Sequence, residues 1–383
     1  MYEDHDKARL LAVEDAATRL PIAGQTQASG IEQAARPPFT RDYDRLIHTA
    51  AFRRLQGKTQ VVTPGQSDFF HTRLTHTVEV AQIARRLAYR LCYEADETHA
   101  REVSDVCEAA AIMHDFGHPP FGHIGEEALH QALKSVAKEP KWNVDFTHLG
   151  GYEGNAQSFR QVVWSFQRAQ EDGPGLQLTR AVLDASIKYP WTFKKGKRKW
   201  NYYPSEKWAF DWVRGEAPTE DKSFEAQIMD WADDVAYATH DLEDWCHAQY
   251  IPLAMLSQSD SALEYLKQEI INSWAPTGRI VNSEARPENL PTAVGLLSTE
   301  DEVDSALRTM FRNSQMFKGF QKLGTEYDGS RDAKLAVQHM RHYLFETFLG
   351  SVVSTTGDVL RGRHAAKLHI PPEVRRQNAI LKE

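Results

Sequence analysis

Hydrophobic and polar positions alternate at helical period along most of the chain. In HTVEVAQIARRLAYRLC (76–92), His76, Val80, Ile83, Ala84, Leu87 and Leu91 fall on one face. His76 therefore opens a buried stripe. Val106, Ala109, Ala110 and Met113 form the apolar side of a second helix, over roughly 103–114. It ends in His114 and Asp115, where Gly117 and Pro119-Pro120 stop it. Another helix begins near 124–126. Over 225–245, Ile228, Trp231, Val235, Ala238 and Leu242 make one stripe, and Asp233, Tyr237 and Asp241 make a second on the other side. That second stripe advances only about 40° per step. Asp230, Asp234 and Asp244 flank it. Carboxylates crowded on neighbouring turns form either a solvated acidic face or one relieved by a cation or ligand.

The pattern predicts an all-α chain. Residues 1–38 read as a loosely organised arm ending in Pro37-Pro38, 39–274 as the core, and 275–383 as a helical C-terminal portion packed on it. Stretches 171–175 (EDGPG), 195–204 (KGKRKWNYYP) and 275–291 read as loops. The final PPEVRRQNAILKE opens like a helix with proline in its first turn and stops short, so the chain is expected to continue past Glu383.

Composition narrows the setting. With 41% hydrophobic and 26% charged residues the sequence is that of an ordinary globular protein. It has no apolar run of the roughly 18 residues needed to span a membrane. Its start, MYEDHDKARL, lacks the basic and apolar regions of a secretory signal. Cys92, Cys107 and Cys246 are odd in number and unclustered, which argues against a disulfide framework or a cysteine zinc site and for a reducing, cytoplasmic location. The net charge of −8 confines any nucleic-acid contact to a local patch.

The candidate chemistry gathers in AIMHDFGHPPFGHIGEE (111–127). His-Asp occurs three times, at His5-Asp6, His114-Asp115 and His240-Asp241. The first is expected in a frayed terminus and the third on a wet helix; only the second closes an apolar helix and opens a Gly/Pro loop. Added to His76 and one carboxylate from the 230s, it gives two imidazoles and two carboxylates, a sensible divalent-metal set.

The order H…HD…D resembles the signature of the HD-domain metal-dependent phosphohydrolases. Five blocks are similar to the deoxynucleoside-triphosphate triphosphohydrolase (dGTPase-like) group: RDYDRLIHTAAFRRLQGKTQV (41–61), HTRLTHTVEVAQIAR (71–85), HDFGHPPFGHIGE (114–126), GYEGNAQSFR (151–160) and DWADDVAYATHDLED (230–244). The resemblance implies an HD-domain fold with additional C-terminal helices. It also implies hydrolysis of dGTP or other dNTPs at the α-phosphorus to deoxynucleoside and inorganic triphosphate. Metal ligands would be His76, His114, Asp115 and Asp233; Asp233 is preferred to Asp234 because the family spacing Asp-x3-Tyr-x3-Asp fits Asp233, Tyr237 and Asp241. Tyr237 and Asp241 would hold the sugar, Gln60 would meet base or sugar, Arg73 a phosphate oxygen, and Lys188 and Arg308 the outer phosphates.

His123 and His118 remain. Expelling the nucleoside 5′-oxygen calls for a general acid. His123 is assigned that role, Glu126 three residues on is expected to orient it and raise its pKa, and His118 to be a second proton or phosphate contact. The metal is expected to be Mn or Mg, with Fe, Co or Zn also compatible with the ligand set. The resemblance further implies a homo-oligomer, a hexamer or tetramer. Two other readings are carried forward. One is an HD phosphohydrolase acting on another nucleotide phosphoester. The other is a dNTP-responsive protein binding single-stranded DNA, for which KKGKRKWNYYP (194–204), five basic residues beside three aromatics, is the motif.

Overall fold

Helices carry nearly all of the regular structure. The structure, a computed structural model, describes residues 2–8, 37–60, 69–142, 144–166, 175–194, 198–215, 217, 220–274, 299–320, 327–354 and 363–382. Of the loops read at 171–175, 195–204 and 275–291, residues 171–174, 195–197 and 275–291 lie outside the described residues, as does most of the arm at 1–38. Among the described residues the only strands are the paired two-residue segments Val353–Ser354 and Leu368–His369. The fold is all-α, as the periodicity predicts.

The chain divides into two compact units, residues 1–233 with 354–368, and residues 234–353 with 369–383. The boundary falls inside one long helix, Phe224–His247. In the first unit the central pair is Arg73–Cys92 against Glu97–Met113, and the second of these also packs on Pro38–Ile47 and Arg180–Ala185. The reason is visible in the stripe: Val80, Ile83, Ala84 and Leu87 are buried against a helix whose Ala109, Ala110 and Ala111 are small enough to let the backbones approach. Thr72 caps the Arg73–Cys92 helix through a reciprocal bond with Thr75, which starts that helix three residues before His76. The second unit packs Glu300–Phe311 between Asp260–Trp274 and Pro372–Leu381, with Arg331–Gly350 also on Pro372–Leu381. The terminal segment read as barely a helix is thus a ten-residue one.

The terminus expected to fray is held instead. Tyr2 is buried between Phe39 and His99, its hydroxyl donates to buried Glu225, and Asp6 pairs with Arg363 at 2.8 Å. Hydropathy missed this because the anchor is a single aromatic in a polar run. Nearby, buried Asp184 accepts from Arg214 at 2.8 Å, from His364 at 3.0 Å and from Arg363. Against burial, which pushes it up, Arg363 and His364 hold the Asp184 carboxyl below its usual range. Asp184→Ala removes the buried carboxylate shared by Arg214, His364 and Arg363, so unfolding in urea is expected to show a loss of about 3–5 kcal/mol.

Candidate metal and phosphoryl-transfer site

Four side chains from three helices meet in the first unit. His76 comes from the first turn of Arg73–Cys92, His114 and Asp115 from the end of Glu97–Met113, and Asp233 from the middle of Phe224–His247. Ligand atoms of His76, His114 and Asp115 lie within 4.8 Å of one another. Asp233 Oδ1 is 3.0 Å from His76 Nε2 and 3.4 Å from His114 Nε2. His114 Nδ1 faces the Ala111 carbonyl at 2.6 Å, which fixes the ring and turns Nε2 inward. That buried Nε2 has no hydrogen-bond partner among the described residues. Two imidazoles and two carboxylates converging here, with the His114 Nε2 3.4 Å from Asp233 and 3.5 Å from Asp115, fit a divalent cation of the first transition row.

Surrounding charges keep these carboxylates ionised. Burial raises the pKa of each, but His114 and Arg73 hold Asp115 well below the usual range, and Lys188 and His114 do the same for Asp233. Burial lowers His114, yet Asp115 and Asp233 outweigh it and raise its pKa. The acidic face is thus relieved by partners. Lys188 Nζ is 2.5 Å from Asp233 and 3.4 Å from Asp230, and Lys222 is 2.5 Å from Asp230. Asp234, one residue on, pairs with Lys382 in the second unit.

The loop after His114-Asp115 is fixed by close approach. A Cβ on Gly117 would stand 2.3 Å from the Gly154 carbonyl and from the Ser158 nitrogen, so only glycine lets this turn lie on the Gly154–Arg160 helix. Ser158 Oγ donates to the His114 carbonyl and accepts from Gly117 N, and Lys58 Nζ donates to the Phe116 carbonyl at 3.0 Å. Phe121 at φ 66° and Gly122 at φ 61° then turn the chain into the Gly122–Ala137 helix, with His123 on its first turn.

The remaining sequence candidates divide. Arg73 is buried and donates to Asp115 Oδ2 at 2.6 Å, beside the metal set. His118 and His123 stand edge to face, their rings 5.4 Å apart. Gln60 is half-buried, with an Oε1 that has no partner among the described residues. Tyr237 and Asp241 follow Asp233 on the same helix at one-turn steps. His240 and Asp241, read as lying on a wet face, are buried. Arg308 lies in the second unit, bonded to Asp304 at 2.8 Å and near Asp260.

One expectation is reversed. Glu126 does raise the His123 pKa, but burial and Lys199 outweigh it, so the net shift is downward rather than up. The carboxylate has other neighbours: Oε1 accepts from Lys199 Nζ at 2.8 Å, and Oε2 lies 3.8 Å from His118 Nδ1. His118 itself is pushed down to about 3, chiefly by burial, so it is neutral at neutral pH. Lys199 belongs to the motif weighed for single-stranded DNA. Its aromatics face inward: Trp200, Tyr202 and Tyr203 are buried, Trp200 and Tyr203 packing with Ala156, Trp191 and Phe193. They are core residues, and no base can stack on them.

The HD domain family matches residues 73–238. A deoxyguanosinetriphosphate triphosphohydrolase-like protein of Streptomyces coelicolor is 36% identical over 368 residues, covering 92% of this chain and 75% of the relative. One from Corynebacterium efficiens is 33% identical over 375 residues, covering 94% and 76%. One from Bifidobacterium longum is 42% identical over 221 residues, 55% of this chain and 42% of the relative. The chain belongs to this dGTPase-like family. The HD domain is a metal-dependent phosphohydrolase fold, and the family makes this protein a hydrolase. Among the described residues, no helix is long and apolar enough to cross a membrane.

Lys58, Lys199 and Glu153 are polar residues around this site that spacing alone did not single out. Lys58 carried a signal in the QGK word that precedes Gln60. Burial pushes its ammonium down to about 8, with Asp115 opposing. Glu153, in the GYEGN word, is fully buried, and burial pushes it up to about 7.

Proposed function

We propose that the protein hydrolyses deoxynucleoside triphosphates at the α-phosphorus, releasing deoxynucleoside and intact triphosphate. The observation that carries the reading is the convergence of His76, His114, Asp115 and Asp233, with Arg73 bonded to Asp115 and the His118–His123 pair nearby. His76, His114, Asp115 and Asp233 would hold a divalent ion, Mn or Mg by family analogy, which would supply charge for a phosphoryl oxygen and a place for water. Arg73, already rigid against Asp115, presents its guanidinium to a phosphate. His123, exposed on the first turn of its helix, reaches solvent-borne substrate and donates a proton to the departing 5′-oxygen. His118, buried and neutral, is a hydrogen-bonding group rather than a charge.

Selectivity for deoxyribose is assigned to Tyr237 and Asp241. A phenol ring where a 2′-hydroxyl would project excludes ribose, and the carboxylate accepts from the 3′-hydroxyl. Tyr237→Ala is expected to reduce the dGTP-over-GTP ratio of kcat/KM by about 10- to 100-fold. Chromatography of the products from both nucleotides checks this, and an unchanged ratio removes the sugar assignment. We further propose a cytoplasmic homo-oligomer, and retain 39–274 as the catalytic portion.

A further inference from the structure

Lys188 reaches Asp233 on a long, flexible stem, and the base of that stem is fixed by a side chain from another segment. The Arg180–Ala185 helix has ended before Lys188, so the N–H groups of Lys188 and Tyr189 need acceptors from elsewhere. Both find the same one. Asn201 Oδ1 accepts from Lys188 N at 2.9 Å and from Tyr189 N at 3.2 Å. Asn201 is 2% exposed, and its own N–H donates back to the Trp191 carbonyl at 3.1 Å. Neighbours tighten the same clip: Trp191 Nε1 donates to the Lys199 carbonyl at 2.7 Å, and Thr192 Oγ1 to the Tyr202 carbonyl at 3.1 Å. Pro190 also disfavours helical backbone at Tyr189.

We infer that Asn201 is a positioning residue for Lys188, its carboxamide fixing the backbone from which the ammonium is delivered to Asp233. The delivered charge divides that carboxylate. Oδ2 lies 2.5 Å from Lys188 Nζ, and Oδ1 is left facing His76 at 3.0 Å and His114 at 3.4 Å. Asp230 Oδ1, at 3.4 Å, is the second carboxylate oxygen on Lys188, while Asp230 Oδ2 goes to Lys222. Lys188 is itself buried, so a pinned backbone and packed walls together hold its ammonium in one place. The motif weighed for single-stranded DNA thus serves the site through Asn201, an amide among its cations and aromatics.

The consequence for substrate rests on the reading of Lys188 as a contact for the outer phosphates; the clip itself does not. The clip is tested on the free protein by amide hydrogen exchange in 15N-lysine-labelled samples, the Lys188 signal being identified by its loss in Lys188→Met. Asn201→Leu fills the volume without an acceptor, and the Lys188 amide is expected to exchange about tenfold faster or more. Asn201→Ser, too short to meet both N–H groups, is the milder variant and moves exchange the same way. Asn201→Asp keeps the acceptor and restores slow exchange. Unchanged exchange in Asn201→Leu and Asn201→Ser overturns the inference. Inorganic triphosphate, titrated as its Mn²⁺ complex by calorimetry, then reads the effect on the ammonium. Lys188→Met and Asn201→Leu are each expected to weaken binding about tenfold. The double variant should bind no more weakly than Lys188→Met, because Asn201 acts through that lysine. Losses that multiply in the double variant overturn the inference. Wild-type triphosphate affinity in Lys188→Met, with exchange still raised in Asn201→Leu, would uphold the clip and remove Lys188 as a phosphate contact.

Discussion

His114→Ala is expected to lower dNTP turnover by about a thousand-fold or more, because the several kcal/mol of charge stabilisation a bound cation provides is lost with it. The residue is chosen for its geometry. The inward nitrogen of His114 makes no hydrogen bond among the described residues but lies beside Asp115 and Asp233, and its ring is locked by the Ala111 carbonyl. Titration of the variant with Mn²⁺ by calorimetry should show weakened binding alongside the lost rate. The wild-type affinity should also depend on pH. Asp115 and Asp233 raise the His114 pKa, so below it a proton competes with the ion, and affinity should rise as pH rises through that value. Retained Mn²⁺ affinity in His114→Ala would place the metal elsewhere.

His123→Gln is the second large effect, an expected loss in kcat of about 10²–10⁴-fold. The loss should be confined to substrates that need a proton on the leaving group. A nitrophenyl ester of triphosphate, whose phenolate departs unprotonated, should be cleaved by the variant at close to the wild-type rate. An equal loss on both substrates would assign His123 to binding rather than to proton transfer. Metal affinity should be unchanged, since His123 lies outside the four-residue set.

The helical stripes put much of this site within reach of the sequence. His76 heads a buried face because the five aliphatic positions after it recur at helical period, and the structure buries it there. Asp233 and Asp234 are separated by the 100° step between them: the first meets His76 and His114, the second Lys382. Periodicity gives the face of each helix, but not what another element brings to it. Lys199 looked like part of a solvated basic loop, yet Trp200 and Tyr203 are drawn into the core, and the lysine beside them lands on Glu126. The i, i+3 spacing of His123 and Glu126 was real, and a cation from 73 residues away changed its consequence. His240-Asp241 misled in the opposite direction, since polar residues beside acidic ones read as wet and are here buried.

The central claim is attack at the α-phosphorus, and phosphorus NMR of the reaction run in ¹⁸O-water tests it most directly. With dGTP and Mn²⁺ the account predicts intact triphosphate carrying one ¹⁸O on a terminal phosphorus, with unlabelled deoxyguanosine. Pyrophosphate or orthophosphate as the first product, or label in the nucleoside hydroxyl, would contradict it.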